Sequence, residues 1–375
     1  MAPSQSRPIR HSQVAAFRLA RHFLGKEKSS DLVAVTRAVC GVQAQVMASA
    51  ELALRARMPK LDRAEIRSAL WEKRSLAKTS LMRQTIHLIP AEEFAIYIAA
   101  LRKSRLEAVL RIMARFGIGA KDVDWLNDAI VGALQNGPRT QPQLREVICP
   151  SANKNLKAWM AKVWSMLRTA VAEGLICYGP SEGQEITFIC ADRWLPSPQK
   201  IGEAEAQRFL LRRYLGAYGP ATLQDFSHWS GIPMRDAKGV WESILDETAE
   251  VAVEGQKQSI LRGDYAVLAQ AEPSDGALHL LPVFDSYLLA HSKKDHIVDD
   301  RYYKRVYRNQ GWISATVVLD GRVIGTWTHS RGSATLKIDI ILFSRQPKSV
   351  RREIERKAEN LSQFLGSSCR IRYAT

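Results

Sequence analysis

"ALQNGPRTQPQLREVI" (133–148) and "YLGAYGPATLQDFSHWSGI" (214–232) carry the same punctuation at two places in the chain. Each leaves a helical stretch, breaks at a Gly-Pro-x-Thr run beginning at Gly137 or Gly219, and enters a second helix. The Gly-Pro stops the first helix and the threonine can cap the next. A longer helical stretch follows each copy, 155–174 and 234–247. After that comes a candidate hairpin, 176–190 and 249–263, with apolar alternation around a glycine-containing turn. Helix, turn, helix, longer helix, hairpin is the order of a winged helix, and it occurs twice.

The fold class expected is therefore α+β: tandem winged-helix (helix-turn-helix) units, followed by a small β domain. Residues 12–118 read as an N-terminal helical region, with 62–90 a degenerate third copy. The full copies occupy 119–198 and 199–270. From 271 to 375 the texture changes to alternating β-branched and polar residues, with an Asp-Gly turn in "LDGRV". This segment predicts a barrel-like domain of about six strands, closed by a basic helix and a last strand. The polar, basic start, "MAPSQSRPIRHS", predicts a disordered tail.

The chain has 375 residues, 46% hydrophobic and 25% charged, a balance that fits a globular protein of more than one domain. No apolar run approaches the ~18 residues of a membrane span. Five scattered cysteines without a CxxC pair predict free thiols in a reducing, cytoplasmic compartment. With no clustered histidines either, neither a metal nor another cofactor is expected. Lys and Arg number 54 against 38 Asp and Glu, a net charge of +16. Such an excess favours a polyanion, most often nucleic acid, through counterion release. Candidate phosphate contacts are Arg83, Arg139, Lys154, Lys157, Lys293, Lys294, Arg301, Lys304, Arg305, Arg308 and Arg331. Trp159 and Trp164 in the first long helix read as core.

"GVQAQVMAS" (41–49) sets Gln43 and Gln45 in an apolar neighbourhood broken by Gly41. In a regular helix they would lie about 200° apart; in extended or turn geometry they share one side, with Ala44 facing away. Neutral carboxamides can hold a water or grip a base edge, yet take up no proton at neutral pH. A helix-capping or buried hydrogen-bonding pair is the other reading. His87, in an apolar run, reads as a core or a supporting histidine. Asp285 reads as a helix cap or an active-site residue.

With "SLMRQTIHLIPAEEF" (80–94), "YLGAYGPATLQDFSHWSGI", "LHLLPVFDSYLLAHSKKD" (278–295) and "LDGRVIGTW" (319–327), the "GVQAQ" block resembles the AlkZ-like DNA glycosylases. The blocks keep the family's order over nearly the whole chain. The resemblance implies a C-shaped arrangement of winged helices clamped round double-stranded DNA, and a monofunctional glycosylase. It implies excision of cationic alkylated purines of the N7-alkylguanine type, including interstrand crosslinks, with Gln43 and Gln45 as the catalytic pair. His87 and Asp285 would be possible active-site support. A related branch carries aspartate at the second position, and Gln45 sets this chain with the double-glutamine type.

The chemistry of that implication is coherent. Glycoside hydrolases commonly protonate the leaving group with a carboxylic acid. An N7-alkylated purine already carries positive charge, so a site that positions water and stabilises the sugar cation suffices. The competing class is a non-enzymatic winged-helix transcription regulator. A regulator would commonly dimerise on a palindrome, and the chain shows no heptad helix; a monomer, nucleoid-associated, is expected. A small-ligand sensor is the third class, without a motif of its own.

Overall fold

A computed structural model describes residues 8–162, 166–196, 201–331 and 335–374. Residues 1–7 of the expected tail, Trp164, and the side chain of Arg331 lie outside the described set.

The N-terminal region runs α1 (His11–Arg21), α2 (Leu32–Ala38), β1 (Val42–Gln43), α3 (Met47–Arg57), α4 (Arg63–Trp71), β2 (Leu76–Ser80), β3 (Ile86–Pro90) and α5 (Phe94–Ala114). The Asp31 carboxylate caps α2 by accepting from the Val33 and Ala34 amides. The helix ends at Ala38, and the chain turns away through left-handed Cys40 and Gly41, where a φ of +90° suits glycine alone. A Cβ there would come within 2.9 Å of Ile89 and 3.1 Å of the Leu88 carbonyl oxygen. Gly41 is thus what lets β1 lie flush on β3. The three strands form one antiparallel sheet in the order β1-β3-β2.

Next come α6 (Ala120–Ala133), β4 (Arg139–Thr140), α7 (Gln141–Ile148), α8 (Lys154–Met160), α9 (Arg168–Ala172), β5 (Ile176–Tyr178), β6 (Thr187–Cys190) and α10 (Ala191–Trp194). The second copy gives α11 (Glu203–Tyr218), α12 (Leu223–Ser230), α13 (Met234–Glu242), β7 (Thr248–Val253), β8 (Gln256–Leu261) and α14 (Tyr265–Ala269). Thr140 and Thr222 both cap their helices through reciprocal boxes with Gln143 and Asp225. The junctions match in pairing as well. Arg139–Thr140 pairs with β6, the second strand of the first hairpin, and Ala221 bridges Ser259 in the second strand of the other. One apolar core, from Val109 to Cys190, belongs to the first copy. Another joins Cys40, Met82 and Tyr97 to Leu210, Tyr214 and Trp229, so the second copy packs on the N-terminal region.

The last part holds β9 (Leu278–Leu281), α15 (Ser286–Leu289), α16 (Tyr303–Val306), β10 (Thr316–Leu319), β11 (Arg322–Arg331), β12 (Thr335–Leu342), α17 (Lys348–Phe364) and β13 (Ser368–Ala374). Here the expectation of a barrel is corrected. The described strands form an open five-stranded sheet in the order β13-β12-β11-β10-β9. Closure would require β13 to pair with β9, but it joins β12 in parallel. Helix α17 covers the sheet instead, burying Ile354, Ala358 and Leu361 against Trp327, Leu336 and Ile338. An amphipathic helix thus does the covering that a closed strand set would do.

Candidate active site

Gln43 ends the edge strand β1 of the first sheet, and Gln45 lies in the bend that leads into α3. Gln43 pairs with His87, and the Ala44 amide donates to the Ile86 carbonyl at 2.7 Å. Gln43 is buried and Gln45 exposed. Both side-chain oxygens accept hydrogen bonds from the stretch that leads from the β2–β3 turn into β3. The Arg83 guanidinium donates to Gln43 Oε1 at 3.3 Å, and the Ile86 amide donates to Gln45 Oε1 at 3.3 Å. The two carboxamides are therefore anchored on one four-residue segment and keep their NH2 donors and second lone pairs available.

Cross-strand neighbours share a face of a sheet. Gln43, His87 and Thr79 are aligned in register across β1, β3 and β2, and all three are buried. His87 Nδ1 lies 2.8 Å from the Thr85 carbonyl oxygen. A carbonyl only accepts, so Nδ1 carries the proton. Burial, helped by the charges of Arg83 and Arg105, lowers the His87 pKa to about 3. The ring is neutral at physiological pH, with its lone pair on Nε2.

Arg83, expected as a phosphate contact, spans two parts of the fold. Besides Gln43 it donates to the Trp229 carbonyl oxygen at 2.6 Å. Its backbone is left-handed, with φ +52°, and it abuts the turn after α12: a Cβ on Gly231 would stand 3.1 Å from the Arg83 amide nitrogen. Burial lowers its guanidinium to about 10, so it stays charged at neutral pH.

Arg83 lines a chamber of about 1050 Å³, together with His228, Lys294, Lys304, Arg308 and Trp312. A second chamber of about 750 Å³ adjoins it, sharing Arg308 and Trp312 and reaching Ser49 on the first turn of α3. Gln43 and Gln45 line neither chamber; the link is indirect, through Arg83, which bonds Gln43 and lines the first, and through Ser49, four residues past Gln45, which lines the second. Among the described residues, neither chamber is lined by an aspartate or glutamate.

The other expected residues divide. Lys304, Arg305 and Arg308 are exposed around the chambers, and Lys293 is exposed nearby in sequence. Lys294 is buried: its ammonium donates to the Leu288 carbonyl at 3.0 Å and stands 5.1 Å from the centre of the Tyr307 ring. Burial, with Arg83 nearby, brings it down to about 7. Arg301 is bound by Asp299 at 2.8 Å. Arg139 donates to the Ala133 carbonyl at 2.7 Å, where it closes the end of α6. Lys154 and Lys157 are exposed on α8, and Arg331 ends β11 opposite Leu336.

Asp285 is fully buried in a bidentate ion pair with Arg57, both contacts at 2.8 Å, and caps α15 through the Tyr287 amide. Its neighbour Ser286 donates to the Gly41 carbonyl at 3.2 Å, which fixes this block beside the entry to the glutamine run. Sequence reasoning did not find Arg83 as the partner of Gln43, nor Trp312 as the wall between the chambers. The left-handed Gln310 and the Gly311 that present Trp312 were the available signal.

The family described as "DNA glycosylase AlkZ-like" matches residues 36–364, and the chain belongs to that family. A curated relative, the interstrand DNA cross-link repair glycosylase of Streptomyces sahachiroi, is 33% identical over 328 residues, covering 84% of this chain and 86% of the relative. The solved structure of Streptomyces sahachiroi DNA glycosylase AlkZ superposes with a TM-score of 0.86 at 28% identity, covering 98% of this chain and 100% of that one. The chain is accordingly a glycosylase whose substrate is DNA, and the regulator reading is set aside. No helix among the described residues is long and apolar enough to cross a membrane.

Proposed function

We propose that the chain excises cationic, N7-alkylated guanines from duplex DNA, crosslinked ones included, as a monofunctional enzyme using Gln43 and Gln45. The carrying observation is the carboxamide pair anchored on the Arg83–Ile86 turn, with Arg83 in the wall of a chamber that no carboxylate lines among the described residues. The relative's name supports the extension to crosslinks.

In the proposed reaction, water bonds to C1′ of the deoxyribose as the C1′–N9 bond breaks. The electron pair of that bond neutralises the purine cation, so the base leaves without protonation. The water's surplus proton passes to solvent. The carboxamides orient the water and line the sugar cation with dipoles. The fixed oxygen of Gln43, held by Arg83, keeps that geometry preset. His87, neutral and cross-strand from Gln43, supports it as a packed hydrogen-bonding neighbour.

The two Gly-Pro-x-Thr copies, 119–198 and 199–270, are read as winged helices, supported by the matching caps and junction pairings. With the N-terminal region 12–118 and the sheet domain 271–375 they would form a C-shaped clamp around a duplex. Lys293, Lys304, Arg305 and Arg308 would meet phosphates at the chambers and Lys154 and Lys157 along α8, with Arg331 at the minor groove. A monomer acting on the nucleoid in the cytoplasm fits this reading. The test is single-turnover release of N7-methylguanine from a duplex. Gln43→Ala and Gln45→Ala should each lower release at least about a hundredfold while duplex affinity stays within about threefold of the unsubstituted protein. Release unchanged in both variants would sink the assignment.

A further inference from the structure

The buried lysine and arginine side chains among the described residues are Arg18, Arg57, Arg105 and Lys294. Three of them have partners. Arg57 is paired with Asp285, Arg18 donates to the Pro220 carbonyl at 2.7 Å, and Lys294 donates to the Leu288 carbonyl. Arg105, 8% exposed, makes no hydrogen bond or ion pair with any described residue, and its Nη1 is closed off from solvent without an acceptor. A charge buried alone is destabilising, and buried charges are paired as a rule. Arg105 departs from that rule in the free protein.

Its position is a seam. On α5, the buried Tyr97, Ile98 and Leu101 belong to the core that joins the N-terminal region to the second copy, whereas Val109 belongs to the core of the first copy. The charge of Arg105 acts on His87, the cross-strand partner of Gln43, and on Tyr178 at the end of β5. Burial lowers Arg105 to about 10, so it is charged at neutral pH. Burial raises the Tyr178 hydroxyl to about 12, so that group supplies no counter-charge. Lys78 lies 5.4 Å from the centre of the same ring, half-buried and without an ion pair among the described residues. In the row of Thr79, His87 and Gln43, the Thr79 hydroxyl is likewise buried without a partner. Two uncompensated cations thus adjoin the glutamine row.

We propose that Arg105, assisted by Lys78, binds a backbone phosphate of the damaged strand beside the lesion. For the identity of that strand this rests on the glycosylase reading, and it adds the group that positions the nucleotide whose C1′ faces the glutamines. A phosphate brings the missing negative charge and two oxygens that a guanidinium grips in bidentate fashion. The Arg105 head is tied to no described acceptor, so it turns toward the arriving strand without breaking a bond. Side-chain turns of this kind are common when interfaces form. The unpaired charge of the free protein is offset in the complex.

The experiment measures affinity for a short duplex carrying N7-methylguanine on a 2′-fluorinated sugar, whose electron-withdrawing fluorine slows loss of the base. The phosphate on each side of the lesion is replaced in turn by a neutral methylphosphonate. R105M, and a methylphosphonate at one of the two positions, should each weaken binding about tenfold or more. Combined, they should weaken it no further than either alone. R105K, which keeps the charge, should lose less than R105M. Losses that multiply at both positions overturn the proposal. Should inorganic phosphate at fixed ionic strength then raise the urea midpoint of the unsubstituted protein but not of R105M, the site takes free phosphate and not the strand. Relieved of an unpaired charge, R105M should unfold at the original midpoint or above it. A fall of about 0.5 M or more would mark Arg105 as a structural cation and overturn the proposal. Release is followed separately on the ordinary sugar: the non-additive pattern without release of any base overturns the glycosylase reading and leaves Arg105 as a phosphate ligand.

Discussion

Replacing Asp285 with alanine separates a structural carboxylate from a reacting one. In the fold, Asp285 accepts two 2.8 Å bonds from Arg57, neither side chain is exposed, and the carboxylate also caps α15. Its removal leaves a guanidinium buried without its partner, at a cost of about 3–5 kcal/mol. The lost cap adds about 1 kcal/mol. The sum, about 4–6 kcal/mol, is a large share of a domain's net stability of about 5–15 kcal/mol. With a urea dependence of about 3 kcal/mol per molar, the unfolding midpoint followed by tryptophan fluorescence should drop by about 1.5 M. The double variant Arg57→Met with Asp285→Leu removes both charges and should recover much of the loss. Release of N7-methylguanine, measured cold in the absence of urea where D285A is still folded, should stay within about threefold of the unsubstituted rate. A D285A protein that unfolds at the original midpoint yet releases base a hundredfold more slowly would refute this reasoning and make Asp285 a participant in the chemistry.

Further outcomes follow from the same geometry. His87 and His279 are each held near a pKa of about 3, chiefly by burial. The unfolded chain takes up their protons from about pH 6.5 downward while the folded chain refuses them, so stability is lost as pH falls from 6.5 toward 3. Each contributes about 1.4 kcal/mol of loss at pH 5.5. In His87→Gln, urea unfolding at pH 7.5 and 5.5 should differ by that much less than in the unsubstituted protein. Duplex affinity measured against salt should lose about 0.9 of log–log slope on Lys304→Ala and again on Arg308→Ala. Arg139→Ala should leave the slope unchanged, because that guanidinium is occupied by the Ala133 carbonyl. Replacing Arg83 with methionine frees the Gln43 oxygen and should lower the release rate by about tenfold or more, the scale of one lost hydrogen bond to a charged group. Its effect on affinity should be smaller than that of Arg308→Ala.

Local features were legible and distant ones were not. The Gly-Pro-x-Thr junctions, the threonine caps and the chain break at Gly41, just past the end of α2, are written into adjacent residues, and the structure has each of them. The pairing of Gln43 with Arg83 joins positions far apart in the chain through a sheet edge, and no spacing announces it. Lys293 and Lys294 look equivalent in sequence, yet one is exposed and the other is folded inward onto Leu288 and Tyr307. That difference depends on what packs against the loop. Sheet closure fails for the same reason: alternation foretells strands in 316–342, but not that the two edge strands, β13 and β9, will stay apart. Asp285 was legible as a cap, while its second partner came from α3.

In the proposed reaction a charged lesion supplies the push that uncharged amides cannot. Single-turnover release from matched duplexes, one containing N7-methylguanine and one containing the neutral purine hypoxanthine, tests it most directly. Release of the cationic base, with background loss only of the neutral one, is expected. Comparable release of hypoxanthine would reveal a proton donor in the site and contradict the account.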